Sequence, residues 1–149
     1  MSPRPLVLIL CTGNSCRSQM AEGFLRAFQG DKYEVASAGT DPKPEVHPLA
    51  VLVMAEAGVD LTSQGPRSID EFLGRVPVRH LIIVCDRASA TCPRIWPGAA
   101  TRTNLPFDDP ADAHGTETEQ LEVFRRVRDE IAGAMKVWSP PARKTFDRH

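Results

Sequence analysis

A chain of 149 residues, 42% hydrophobic and 25% charged with a formal net charge of −1, can bury one real core but is too short for two ordinary domains. So slight a charge excludes long-range attraction to nucleic acid or to an anionic membrane surface, and any anion must be held by a local site. The longest apolar run covers residues 6–11, far below the roughly 20 residues of a membrane-spanning helix, and it ends in Cys11-Thr12-Gly13-Asn14, which is no secretory cleavage site; a cytoplasmic location is expected.

Residues 5–10 read as a buried strand, short and rich in Val, Ile and Leu, with turn residues directly behind it. Residues 18–28 read as a helix, with Met20, Phe24, Leu25 and Phe28 at helical spacing and Gly30 as a stop. A second strand follows over 33–38, closed by Gly39. A second helix runs over 48–57, with Pro48 at its start and Gly58 past its end. A short helix capped by Ser68 spans 68–73, and a third buried strand over 80–84 leads into Cys85. A weaker fourth strand covers 101–107. A long closing helix over 116–138 carries the stripe Leu121, Phe124, Val127, Ile131 and Met135, read as core packing.

This order predicts a single α/β domain over residues 1–138, with a four-stranded, mostly parallel open sheet and helices on both faces, and the strand order expected of it is the flavodoxin-like 2-1-3-4. Residues 139–149, opening with Ser139-Pro140-Pro141 and then mostly charged, form a tail that leaves the core. In such sheets ligands bind beyond the carboxyl ends of the strands, where the strand order reverses. Cys11 and Cys85 both fall at such strand ends. In the 2-1-3-4 order their strands are neighbours about 4.8 Å apart.

Four cysteines, Cys11, Cys16, Cys85 and Cys92, in a chain without a secretory signal point to catalysis, metal binding or burial rather than to a structural disulfide framework. The spacings Cys-x4-Cys and Cys-x6-Cys fit zinc poorly. None of His47, His80, His114 or His149 has metal-ligand spacing, and no metal is expected.

The stretch Cys11-Thr12-Gly13-Asn14-Ser15-Cys16-Arg17-Ser18 joins the first strand to the first helix. Such a loop can aim several backbone N–H groups at one point, where the helix adds the positive end of its dipole. Gly13 and Asn14 tolerate left-handed conformations, and Arg17 offers a fork of donors suited to a tetrahedral oxyanion. The same field acts on Cys11. A thiol of pKa near 8.5 is about 3% ionised at pH 7, and a fall of about two units makes it roughly 75% thiolate. The loop, residues Thr12 to Ser18, is thus read as an oxyanion site with a nucleophile at its focus.

Cys11, five residues, then Arg17 and Ser18 resemble the phosphate-binding loop of the low-molecular-weight tyrosine phosphatase fold, and Asp109-Pro110 resembles that fold's general-acid loop. The loop with Cys16, the later pair Cys85 and Cys92, and the run Phe107-Asp108-Asp109-Pro110-Ala111 resemble the thioredoxin-coupled arsenate reductases. So do Gly115-Thr116-Glu117 and the run from Phe124 to Ile131. The resemblance extends from Leu6 to about Met135.

It implies a mechanism. The Cys11 thiolate attacks arsenate held by Arg17 and the loop amides, and Asp109 protonates the leaving oxygen. Cys85 then attacks the adduct, releasing arsenite and leaving a Cys11–Cys85 disulfide. Cys92 moves that disulfide to Cys85–Cys92, where thioredoxin reduces it. Were the segment between Cys85 and Cys92 helical, the two would stand about 10.5 Å apart along the axis, beyond disulfide reach, so the segment must be looped or unwind on oxidation. Cys16 is read as a buried, inert thiol, Asp108 as structural and Trp96 as packing.

Some members of that family hold potassium beside the loop, on an Asn and a Glu that match Asn14 and Glu22. Two further ligands, a Thr and an Asp, align with Gly65 and Arg67; a cation at Arg67 repels potassium, so no potassium dependence and no bound cofactor is expected. A monomer is expected. The nearest alternative is a low-molecular-weight protein tyrosine phosphatase using Cys11, Arg17 and Asp109 without a redox partner; such phosphatases usually place Tyr after the Asp-Pro pair, where this chain has Ala111. An alternative of another class is a non-enzymatic redox sensor acting through Cys85 and Cys92.

Overall fold

The computed structural model describes residues 4–85, 96 and 98–141. Cys92, the rest of the segment 86–95 and the tail from residue 142 onward lie outside the described residues.

Strand β1, Leu6–Cys11, is buried along its length beyond Leu6, as an apolar strand flanked by neighbours on both sides must be. It pairs in parallel with β2, Glu34–Gly39, and with β3, His80–Ile83. Strand β4, Thr101–Asn104, pairs in parallel with β3 and closes the edge, giving the sheet order β2-β1-β3-β4. The parallel sheet and its order agree with the expectation from sequence. The central position of β1 places Cys11 at the switch point, because the chain leaves β1 toward β2 and later returns on its other side to β3.

The fourth strand is shorter than its apolar pattern suggests, ending at Asn104 rather than at 107. Leu105 N still donates to the Ile83 carbonyl at 2.8 Å. Pro106 has no N–H to offer the ladder, and Phe107 N reaches Val84 O only at 3.3 Å. Two other boundaries move by one residue with consequence: β1 includes Cys11, and β2 includes Gly39.

Helix α1, Arg17–Gln29, packs on β1, β2 and on α3, Glu117–Val137. Helix α2, Pro48–Glu56, starts with Pro at its first turn and packs against α3. The α3 stripe buries Phe124, Val127, Ile131 and Met135. A capping box in which Thr116 Oγ1 accepts from Glu119 N and Glu119 Oε1 accepts from Thr116 N opens α3, satisfying two otherwise orphaned donors. At its other end the buried Gln29 side chain donates to the carbonyls of Met135 at 3.0 Å and Trp138 at 2.8 Å. The Ser68 cap opens only a single 3-10 turn, Ile69–Glu71. A second such turn, Pro110–Asp112, is capped by Asp109. No helix among the described residues is long and apolar enough to cross a membrane.

His80 is a core residue. It lies edge-on to Tyr33 and Trp138, and its Nδ1 is 2.7 Å from Thr101 Oγ1. Burial, aided by the neighbouring Arg79 charge, lowers its pKa from the ordinary 6.5. The unfolded chain therefore takes up this proton first as pH falls, so the contribution to stability is intact above pH 6.5 and declines below it. Urea midpoints taken on either side of that pH should differ less in His80→Gln than in the unmodified chain; an unchanged difference would remove His80 as the titrating group.

Candidate active site

Five consecutive peptide carbonyls of the loop after β1 are drawn outward. Thr12 O accepts from Asp41 N, Gly13 O from Lys43 N and Ser15 O from His47 N, each at 2.9 Å, and Cys16 O accepts from Met20 N at 2.9 Å as the first bond of α1. The remaining carbonyl, Asn14 O, accepts from Gln19 Nε2 at 3.0 Å. No peptide among the described residues is cis. In a trans peptide the N–H points opposite to the carbonyl before it, so the N–H groups of residues 13–17 are turned to the other side, at the positive end of α1. The segment 40–47, read from sequence only as a connection, supplies three of the five donors.

Asn14 is the turning point of the loop, with φ of 50° in the left-handed region, which non-glycine residues enter at a cost. It is almost wholly buried and fully bonded. Its Nδ2 donates to Ser18 Oγ at 2.7 Å and Ser37 Oγ at 2.8 Å, while its Oδ1 accepts from Arg67 N at 2.8 Å. Ser18 Oγ, having accepted from Asn14, retains its own hydrogen to donate.

Cys11 is buried at the end of β1, in register with Gly39. Arg17 opens α1 and is almost completely buried. Its guanidinium donates to Phe107 O at 3.1 Å and lies 3.4 Å from Asp109 Oδ2. Asp109 also caps its 3-10 turn through Ala111 N at 3.0 Å, which fixes the carboxylate over the loop. The adjoining Asp108 instead faces α3, in an ion pair with Arg126 at 3.2 Å. Burial pushes the Cys16 thiol up to about 12, against a smaller opposing pull from the Ser15 hydroxyl; the charges of Asp109, Arg17 and Cys11 all act on it. Cys16 therefore stays a neutral thiol near pH 7, while its surroundings place Cys11, Arg17 and Asp109 in one cluster.

Cys85 follows β3 and is buried, with Sγ 3.6 Å from the carbonyl oxygen of Leu10, in the peptide that joins Leu10 to Cys11. Its sulfur is engaged in a disulfide. The structure thus brings together Cys11, residues 12–18, Asp109 and Cys85. Cys92, the remaining candidate, lies outside the described residues. Among the described residues no cluster of three or more His, Cys, Asp or Glu side chains could hold a metal ion.

Sequence reasoning missed several supports. His47 caps α2 by accepting from Leu49 N at 3.1 Å, packs its ring at a tilt against Phe124 and adjoins Asp109, with burial holding its pKa below the ordinary value. Gly39 does more than close a strand: a Cβ there would stand 2.4 Å from Thr12 O and 3.1 Å from Asn14 Cβ. The terminal Gly of a strand facing a turn-rich loop was the available signal.

Residues 6–148 match the low molecular weight phosphotyrosine protein phosphatase family. An arsenate reductase of Halalkalibacterium halodurans is 42% identical over 137 residues, which is 91% of this chain and 96% of that protein. A solved arsenate reductase in the phosphate binding state superposes with a TM-score of 0.75 at 31% identity, over 89% of this chain and 94% of that one. A thioredoxin-dependent arsenate reductase of Corynebacterium glutamicum does so with a TM-score of 0.61 at 27% identity, over 91% of this chain and 64% of that one.

Gly39→Ala should destabilise the fold by about 1–3 kcal/mol, because the Thr12 carbonyl cannot yield without leaving its Asp41 donor, and should slow alkylation of Cys11. Gly133→Ala, where a Cβ meets nothing within 4 Å, is the control and should gain about 0.5–1 kcal/mol from helix propensity. Equal denaturation midpoints for the two variants would contradict the close approach at Gly39.

Proposed function

Because the chain belongs to the low molecular weight phosphotyrosine protein phosphatase family, and within it to the arsenate reductases, we propose that it reduces arsenate to arsenite through a Cys11 nucleophile and a Cys11, Cys85, Cys92 relay reset by thioredoxin. The observation that carries this reading is a buried cysteine at the head of a loop whose carbonyls all point away, with a second cysteine against the same peptide.

The Cys11 thiolate attacks arsenic while the N–H groups of residues 13–17 and the Arg17 guanidinium hold the oxygens. Ser18 can donate its hydroxyl hydrogen toward the thiolate. Asp109 gives its proton to the departing oxygen, which leaves as water. The Cys85 thiolate then attacks the Cys11 sulfur. The sulfur–arsenic bonding pair passes to arsenic, which leaves as arsenite, two electrons richer, and a Cys11–Cys85 disulfide remains. Cys92 attacks Cys85, freeing the Cys11 thiolate and forming a Cys85–Cys92 disulfide for a dithiol such as thioredoxin to reduce. The segment between Cys85 and Cys92 rearranges on oxidation to expose the pair. The protein works as a monomer in the cytoplasm, with no nucleic acid or membrane partner.

The test is arsenate-dependent loss of NADPH in the presence of thioredoxin and thioredoxin reductase. Turnover is expected, and Cys11→Ser should abolish it. Cys92→Ser should release about one equivalent of arsenite per chain and then stop; sustained turnover in that variant would take Cys92 out of the relay. Phosphate release from tyrosyl esters with no arsenate-dependent NADPH loss would favour the phosphatase reading.

A further inference from the structure

Asn14 sets the shape of the loop, and both of its ends lead back to one side chain on α1, Arg26. By the first route the Arg26 guanidinium pairs with the buried Glu22 carboxylate one turn earlier. Glu22 Oε1 accepts from Ser37 Oγ at 2.6 Å, and Ser37 Oγ accepts from Asn14 Nδ2 at 2.8 Å. By the second route Arg26 donates to Gln64 Oε1 at 2.9 Å, Gln64 Nε2 donates to Gln19 Oε1 at 2.7 Å, and Gln19 Nε2 donates to Asn14 O at 3.0 Å. A further bond from Arg26 to Val35 O at 2.7 Å ties the guanidinium to β2. One half-exposed cation thus anchors both the side chain and the carbonyl of the strained residue.

The family resemblance places potassium here, and the residues do not fit it. The Glu22 carboxylate is engaged by Arg26 and Ser37, and Asn14 Oδ1 by Arg67 N. Gly65 has no side-chain oxygen and Arg67 is itself a cation. The recess of about 230 Å³ bounded by Glu22, Arg26, Ser63, Gln64, Gly65 and Arg67 therefore sets two guanidinium groups against one carboxylate.

We propose that Arg26 is a built-in counter-ion and positioning residue, a tethered cation that does for Glu22 and Asn14 what a bound monovalent ion would otherwise do, and so makes the loop independent of potassium. The proposal rests on the reading of residues 12–18 as an oxyanion site around Cys11. Without Arg26, a lone carboxylate is left in the interior. Such a group either takes up a proton or turns outward. Either change weakens the acceptor for Ser37 and releases Asn14 from its left-handed turn.

The measurement is protection of reduced Cys11 from iodoacetamide by inorganic phosphate, read by mass spectrometry of the Cys11 peptide, which does not depend on arsenate turnover. In Arg26→Ala the half-protecting phosphate concentration should rise about tenfold and the pH midpoint of alkylation should move up. Arg26→Lys, which keeps the charge but not the fork that reaches both Glu22 and Gln64, should recover protection in part. Glu22→Gln with Arg26→Ala, which buries no lone charge and keeps an oxygen for Ser37, should recover similarly. Potassium at constant ionic strength should leave the unmodified protein unchanged. An Arg26→Ala protein with unaltered phosphate protection and pH midpoint overturns the proposal, as does a gain from potassium in the unmodified protein or a double variant as impaired as the single one. Phosphate that fails to protect the unmodified protein removes the oxyanion reading itself, and the role of Arg26 with it.

Discussion

The five outward carbonyls of residues 12–16 are the constraint on which the site depends. A peptide group presents a donor and an acceptor on opposite edges, so a backbone loop can favour an anion only if its acceptors are occupied elsewhere. Here three donors come from the segment 40–47, one from the Gln19 side chain and one from the first turn of α1. Their effect is to fix the opposite edges before a ligand arrives, which is the preorganisation that makes backbone amides effective toward developing charge.

The sheet brings a second cysteine to this local arrangement. In a parallel sheet, adjacent strands deliver their carboxyl ends to the same side, and the reversal of strand order at β1 opens a crevice there. The register Leu10 to Ile83 carries forward through the Val84 N to Leu10 O bond at 3.0 Å and puts the Cys85 sulfur against the Leu10–Cys11 peptide. Neighbouring strand ends are thus enough to set two cysteines together. Arg17 spans the remaining gap: it begins α1, holds the Phe107 carbonyl and meets Asp109. Cys11 at the end of β1, Arg17 at the start of α1 and Asp109 on the loop after β4 are thus gathered in one place.

Burial keeps one thiol of the loop neutral: desolvation raises the Cys16 pKa to about 12 and outweighs its hydrogen bond from Ser15. A polar cluster as buried as Asn14, Ser18, Gln19, Glu22 and Ser37 is tolerable beside it, because the polar contacts described above join its members to one another and to Gln64, Arg67 and Arg26.

Periodicity, caps and turn residues are local signals, and they marked out the strands and helices of this protein. They also located the loop from Cys11 to Ser18, since strand, Gly-Asn turn and helix start are contiguous. Pro106 shortened β4 for an equally local reason, legible in the residue itself. Only the tertiary structure decided what surrounds Asn14. Gln19 and Glu22 on α1, Ser37 on β2, and Gln64 and Arg67 beyond α2 come from distant stretches, and Arg26 reads on sequence as one more exposed helix cation. Contacts between segments so far apart follow from packing and leave no periodic trace, so the composition of the loop disclosed its chemistry while the side chains that hold it in shape could be found only in the folded chain.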